Sequence, residues 1–290
     1  MNTKTLEYII AVHETQSFGL AAEKCFVSQP ALSMQIKKFE EYLDIQIFER
    51  SNKTIFTTNI GEKVIKQAMK IIDETHNLNK LVSMHNNKGK VNISIGAFPT
   101  LCPYIMPNIL PSIKQQMPNI SISIIEEKTD NLINMLDNGR LDFALLAEPI
   151  DDKRFIKKHL FKDDFYLAVS ETNPLAKQKD INIADILNQN LMLLDDGHCL
   201  RDQSLEICSL HNINYDNFRG SSLETLRQMV SINEGITFIP KIACTPTKGI
   251  KYIKIKGNEF HRNICLVMRK SSVYKDVLEE LTKTINLYPS

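Results

Sequence analysis

At 290 residues, with 43% hydrophobic and 24% charged side chains, the chain has the composition of a globular protein with room for two or three domains. Lysine and arginine number 35 against 34 aspartates and glutamates, a net charge of +1, so any nucleic-acid contact must rest on where charges lie rather than on their sum. No apolar run approaches the ~20 residues of a membrane span, and the six dispersed cysteines (25, 102, 199, 208, 244 and 265) suit reduced cytosolic thiols better than a disulfide framework.

The opening Met-Asn-Thr-Lys-Thr-Leu-Glu has no basic-then-apolar pattern, so no secretory signal is expected and a cytoplasmic location follows. Metal-ligand spacings, glycine-rich phosphate loops and nucleophile elbows are missing, so neither a metal, a cofactor nor an ordinary enzyme is expected.

Leu6, Ile9, Ile10 and His13 recur at helical spacing and predict a first amphipathic helix. Ser17 is placed to cap a second helix over Phe18–Lys24, and Ser28 a third with Pro30 in its first turn. In that third helix Leu32, Ile36, Phe39 and Leu43 form an apolar stripe, while Pro30, Ser33, Met34, Lys37 and Lys38 face away. Two helices around a tight turn, the second with a small polar outer face, match helix-turn-helix logic; a generic three-helix bundle fits the same pattern. Gln29 and Ser33 lie where base edges would be read and Lys37, Arg50 and Lys53 where phosphates would be met, with Ser28 and Pro30 completing the expected DNA-binding set. The first sixty residues are not basic, with Lys/Arg at 4, 24, 37, 38, 50 and 53 and Asp/Glu at 7, 14, 23, 40, 41, 44 and 49.

Two short β-like runs, Ile47–Arg50 and Thr54–Thr57, predict a wing hairpin. Asn59 and Glu62 have capping-box spacing and open a helix reaching about Met84. Along it Val64, Ala68, Ile71, Thr75, Leu78 and Val82 alternate in steps of four and three, the seam of a coiled coil, which implies a dimer. Asn86-Asn87-Lys88-Gly89 reads as the stop and linker.

Beyond it, strands are predicted at Val91–Ala97, Ile120–Ile125, Phe143–Leu146, Phe161–Ser170, Leu191–Leu194, Gly235–Pro240 and Ile264–Met268. Helices are expected through Ile105, Ile109 and Ile113 (kinked by its prolines), through Leu132 and Leu136, from Cys199, from Ser221–Thr225, and through Val277, Leu278, Leu281 and Ile285. This alternation implies α/β subdomains with parallel strands and ligands bound past the strands' carboxyl ends. Thr100 and Thr129 both follow strand ends, so their hydroxyls could meet in one crevice or merely cap helices.

Leu193-Leu194-Asp195-Asp196-Gly197-His198-Cys199 reads as a strand that stops, turns and starts a helix. A thiol at a helix N-terminus, beside His198 and Arg201, is expected to favour thiolate, the form that attacks peroxide. Cys208 follows nine positions later, ~13 Å along a continuous helix, whereas a disulfide needs Cα atoms within roughly 7 Å. The pair is either a switch that joins only by unwinding the segment between, or two small apolar core residues. Arg201 could equally pair with Asp202.

Ala21-Ala22, Val27-Ser28-Gln29-Pro30-Ala31-Leu32-Ser33, Leu43, Phe48-Glu49-Arg50 and Gly61 resemble the winged helix-turn-helix of LysR-type transcriptional regulators. The resemblance runs through nearly the whole chain. Gly197–Gln203 with Cys208, Ser222–Arg227 and Gly235-Ile236-Thr237 resemble the hydrogen-peroxide-sensing branch of that family.

The resemblance implies a winged helix-turn-helix at 1–58, a dimerisation helix at 59–88 and a periplasmic-binding-protein-like regulatory domain at 89–290. That domain would divide into subdomain I (89–162 and 268–290) and subdomain II (163–267). Cys199 would be oxidised to sulfenic acid and resolved by Cys208, with Thr100, Thr129, His198 and Asp202 around the peroxide. Cys25, Cys102, Cys244 and Cys265 would only pack. Partners implied are promoter DNA, a second dimer, RNA polymerase and a glutaredoxin or thioredoxin reductant. A metabolite-responsive regulator and a thiol peroxidase are the competing readings.

Overall fold

The computed structural model describes residues 2–51, 54–85, 91–150, 152–257 and 259–286, with the backbone alone for 50, 51, 54, 80, 83–85 and 217. It divides into two compact units, one of residues 1–88 with 138–140 and one of 89–137 with 141–290.

In the first unit α1 (Thr3–Thr15), α2 (Phe18–Lys24) and α3 (Gln29–Leu43) enclose Leu6, Ile9, Val12, Phe18, Ala21, Leu32, Ile36 and Phe39. Ser17 caps α2 by accepting the Leu20 amide. Ser28 occupies the N-cap of α3, but its side chain makes no capping bond there. Leu43 is exposed, so the stripe of α3 ends one turn early, at Phe39.

Strands β1 (Phe48–Ser51) and β2 (Thr54–Thr57) form the antiparallel wing. The Glu40 carboxylate fixes its base by accepting the Ile47 amide at 2.7 Å and the Phe48 amide at 3.1 Å. α4 (Asn59–His85) follows, ~40 Å long at 1.5 Å per residue. Its cap is Thr58, whose hydroxyl accepts the Gly61 amide at 2.9 Å, and not Asn59 as the spacing predicts. Gly61 is required by packing, since a Cβ there would lie 2.3 Å from the Ile47 carbonyl oxygen. The predicted seam divides: Val64, Ala68 and Ile71 join the N-terminal core, whereas Leu78 and Val82 are exposed. The predicted linker, 86–89, lies outside the described residues.

The second unit contains β3 (Val91–Ala97), α5 (Cys102–Gln116), β4 (Ile120–Glu126), α6 (Thr129–Asp137), β5 (Phe143–Ala147) and β6 (Phe155–Ser170). After β7 (Asp180–Ile181) come β8 (Leu191–Leu194), α7 (Cys199–His211), β9 (Tyr215–Gly220), α8 (Leu223–Ser231) and β10 (Thr237–Pro240). The chain closes with β11 (Ile250–Ile255), β12 (His261–Arg269) and α9 (Lys275–Asn286). α5 runs continuously through Pro107 and Pro111, burying Ile105, Ile109 and Ile113, and packs against α9.

The sheet order is β4-β3-β5-β12-β6-β11-β7, with β10 also on β6. It is mixed rather than parallel: β3 pairs parallel with β4 and β5, while β12 is antiparallel to both β5 and β6. The long strand β6 joins two halves. Phe155 to Asp164 pair with β12, and Phe165 to Ser170 with β10 and β11. The returning chain crosses at His261, where β12 begins opposite Asp164, and residue 267 falls inside that strand.

Candidate functional site

Strand β8 is fully buried and ends at Leu194; Asp195-Asp196-Gly197 then turns the chain, with Gly197 at φ +85. His198 takes the extended N-cap conformation and Cys199 is the first residue of α7. The turn is held by Arg201, whose Nη1 donates to the Leu194 carbonyl at 2.9 Å and whose Nε lies 2.9 Å from Asp196 Oδ1. Arg201 therefore staples the turn through Asp196, rather than pairing with Asp202 or serving the thiol. His198 is buried, its Nε2 3.0 Å from Asp195 Oδ1. Burial pushes its pKa below the ordinary value against the pull of Asp195, which favours the neutral ring.

Cys199 is half-buried and its thiol is free. Burial pushes its pKa above the ordinary thiol range; the Arg262 guanidinium, the Thr129 hydroxyl and the Leu200 amide oppose that, and Asp202 adds to it. The expected lowering by the helix N-terminus, His198 and Arg201 is thus corrected. A backbone amide does help, but desolvation outweighs it, and the cation that acts on the sulfur is Arg262.

Arg262 on β12 and Asp163 on β6 are absent from the sequence expectation and are the most deeply buried charges near the thiol. Their side chains are fully enclosed, with Arg262 Nη2 2.9 Å and Nε 3.0 Å from Asp163 Oδ2. The other Asp163 oxygen accepts the Ile242 amide at 3.1 Å. Arg262 also donates to the Thr100 hydroxyl at 2.8 Å and the Thr100 carbonyl at 3.1 Å, and its guanidinium carbon lies 5.0 Å from the Phe98 ring centre. A buried ion pair ninety-nine positions apart has no signature in a single sequence; within β12 the arginine reads as one more strand residue.

The crevice expected at the strand ends is therefore built around arginine. Thr100, past β3, is buried and held by Arg262. Thr129, opening α6, has a buried Oγ1 that meets no oxygen or nitrogen partner among the described residues. Its neighbour in this sense is the Cys199 sulfur, whose thiolate it stabilises. Asp202 is exposed and reaches the thiol only through its charge.

Cys208 is buried on the same unbroken helix, and burial pushes its thiol up to about 11. Nine residues at 100° each amount to two and a half turns, so the two sulfurs leave opposite faces of α7, ~13 Å apart along the axis. The Cys208 carbonyl accepts the Asn212 and Ile213 amides that end the helix. Cys102, Cys244 and Cys265 are likewise pushed up to about 12 by burial first.

In the N-terminal unit Ser28, Gln29, Pro30 and Lys37 are exposed along α3 and Ser33 is half-buried. Lys37 lies 3.7 Å from Glu41 one turn on. The Arg50 side chain and Lys53 lie outside the described residues.

Residues 3–62 match the bacterial regulatory helix-turn-helix protein model of the LysR family, and residues 88–285 match the LysR substrate binding domain. The chain belongs to the LysR-type transcriptional regulators. A hydrogen peroxide-inducible genes activator of Haemophilus influenzae is 36% identical to this LysR-type regulator over 99% of the chain and 96% of that protein. The DNA-binding transcriptional dual regulator OxyR of Escherichia coli K12 is also 36% identical, over 98% of the chain and 95% of its own length. Among solved structures, full-length OxyR of Pseudomonas aeruginosa, carrying a cysteine-to-aspartate change, superposes with a TM-score of 0.78 at 30% identity, over 99% of this chain and 95% of that one. No helix of the described residues is long and apolar enough to cross a membrane.

Proposed function

We propose that this LysR-type regulator binds promoter DNA and switches oxidative-stress transcription when hydrogen peroxide oxidises Cys199. One observation carries the reading: a free thiol at the head of α7 meets a buried Thr129 hydroxyl that has no oxygen or nitrogen partner and feels the Arg262 charge, with a second thiol on the far side of the same helix. The peroxide activators among its relatives support the same assignment.

The chemistry needs one peroxide per switch. Cys199 sulfur attacks one peroxide oxygen, the O–O bond breaks, and hydroxide leaves and becomes water on protonation. The product is a sulfenic acid. Thr129 would donate to the incoming oxygen or the thiolate, and Thr100, already accepting from Arg262, keeps its own proton free to donate. His198 would close the crevice as a neutral ring, and Asp202 would contribute its charge from the rim. Cys208 sulfur then attacks the sulfenic sulfur, forming S–S and releasing a second hydroxide. That step requires α7 to unwind, because its geometry keeps the sulfurs apart.

The N-terminal unit would read base edges with Gln29 and Ser33, meet phosphates with Lys37, Arg50 and Lys53, and bring Ser28 and Pro30 to the same DNA-binding face. The exposed Leu78 and Val82 of α4 suit a paired helix, and hence a dimer that doubles to a tetramer. A cytoplasmic location, a glutaredoxin or thioredoxin for reset and RNA polymerase as a transcriptional partner complete the proposal. The test is transcription from a target promoter across a peroxide titration. Cys199→Ser should abolish the response while leaving DNA affinity in place; a retained response contradicts the reading.

A further inference from the structure

Lys128 lies between β4 and α6, in the half of the regulatory unit that carries Thr129. Its ammonium reaches the turn before Cys199, in the other half. Nζ donates to the Asp196 carbonyl at 2.6 Å and stands 3.8 Å from Asp195 Oδ1. That carboxylate oxygen is shielded from solvent and is the one His198 faces at 3.0 Å. The lysine stem covers Gly197: a Cβ there would lie 3.0 Å from Lys128 Cδ and 3.3 Å from Nζ. Gly197 is favoured by its left-handed φ of +85, and the lysine stem passes in contact above it.

Consecutive residues of one half therefore hold consecutive parts of the other. Lys128 holds the Asp195–Gly197 turn, and Thr129 faces the Cys199 sulfur. Neither function of the site as described uses the lysine. For Cys199 to reach Cys208 the first turn of α7 must come away from this anchorage, and the lysine bridge opposes that departure.

We propose that Lys128 is a positioning residue, a latch that ties the Asp195–Gly197 turn across the crevice and retards the resolving step, in which Cys208 sulfur displaces hydroxide from the Cys199 sulfenic acid. The latch rests on the peroxide-switch reading for its consequence, but not for its existence. It sets how long the sulfenic acid persists before the helix lets go. Lys128 is a third to a half exposed, as is Asp195, so salt weakens it.

The experiment compares Lys128→Met, which keeps the stem and removes the donor, with Lys128→Arg, which keeps the charge. The first arm needs no peroxide: hydrogen exchange of amides 195 to 203 in the reduced full-length protein. Lys128→Met should exchange about 1.4-fold to fivefold faster, the range of an exposed ion pair, and Lys128→Arg should stay near wild type. The second arm follows peroxide oxidation by rapid mixing, with sulfenic acid and disulfide read separately. Lys128→Met should speed disulfide formation by a similar factor and leave sulfenic acid formation within about twofold. Added salt should speed resolution in wild type and not in Lys128→Met. Unchanged exchange, or resolution in Lys128→Met at or below the wild-type rate, overturns the latch. If wild type itself forms no 199–208 disulfide while exchange responds to Lys128→Met, the latch stands and the peroxide-switch reading fails.

Discussion

Arg262 Nη1 donates to the Thr100 hydroxyl at 2.8 Å while Nη2 lies 2.9 Å from Asp163. One guanidinium thus ties β3, β6 and β12 together at the point where the two halves of the regulatory unit meet. Removing one partner of a fully buried pair leaves the other charge uncompensated. Arg262→Met should therefore destabilise the protein by about 3–5 kcal/mol, with Asp163→Asn in the same chain recovering part of it. Urea unfolding of the single and double variants measures both; equal losses would contradict the pairing argument.

Thr129→Val tests the hydroxyl beside the sulfur. The change nearly conserves volume and removes a donor aimed at the thiol. Cys199 oxidation by peroxide should slow, because losing the hydroxyl that stabilises the sulfur anion leaves burial less opposed and the thiol more fully protonated. The melting temperature should barely move, since no other bond is lost. An unchanged rate would remove Thr129 from the site.

The buried thiols carry a prediction about alkaline pH. Burial holds Cys208 up at about 11, and Cys102 and Cys265 at about 12. In each, the folded chain keeps a proton that the unfolded chain releases at ~8.5. Their contribution is complete below that value and is lost as pH rises through 11 and 12, because the unfolded state binds fewer protons. Denaturation midpoints should fall between pH 9 and pH 11, and Cys208→Ala should fall less steeply. Parallel curves for the two proteins would contradict the assignment to Cys208.

Base readers and phosphate contacts should separate on α3. Gln29→Ala should relax base preference at one position by about 1–3 kcal/mol, whereas Lys37→Ala should weaken all sequences alike and lower the salt slope by about one. Binding isotherms on matched and scrambled sites at several salt concentrations distinguish them. A uniform loss for Gln29→Ala would move it from reader to anchor.

Local patterns were legible in the sequence wherever one element carries its own signal. Leu191–Leu194 forms β8, and the turn places Cys199 first on α7, because four apolar residues followed by Asp-Asp-Gly leave few alternatives. β11 (Ile250–Ile255) carries no such signal and is missing from the sequence expectation: its apolar residues fall at 250, 252, 253 and 255 without strict alternation, and only pairing with β6 makes it a strand. What stayed hidden is relational. Arg262 and Asp163 look like surface charges until β12 and β6 are laid side by side, and Lys128 looks like a solvated lysine until the turn at Gly197 is placed beneath it. The protonation of Cys199 is hidden for the same reason. Neighbours in sequence are visible, whereas burial and a cation sixty-three positions downstream are not.

A peroxide switch of this kind requires two sulfurs on opposite faces of α7 to become bonded to each other. Wild-type protein treated with stoichiometric hydrogen peroxide, digested without reduction and read by mass spectrometry, should yield the peptide pair joined through Cys199 and Cys208, with a matching loss of helical signal. Oxidation of Cys199 with no bond to Cys208 at any peroxide level would contradict it.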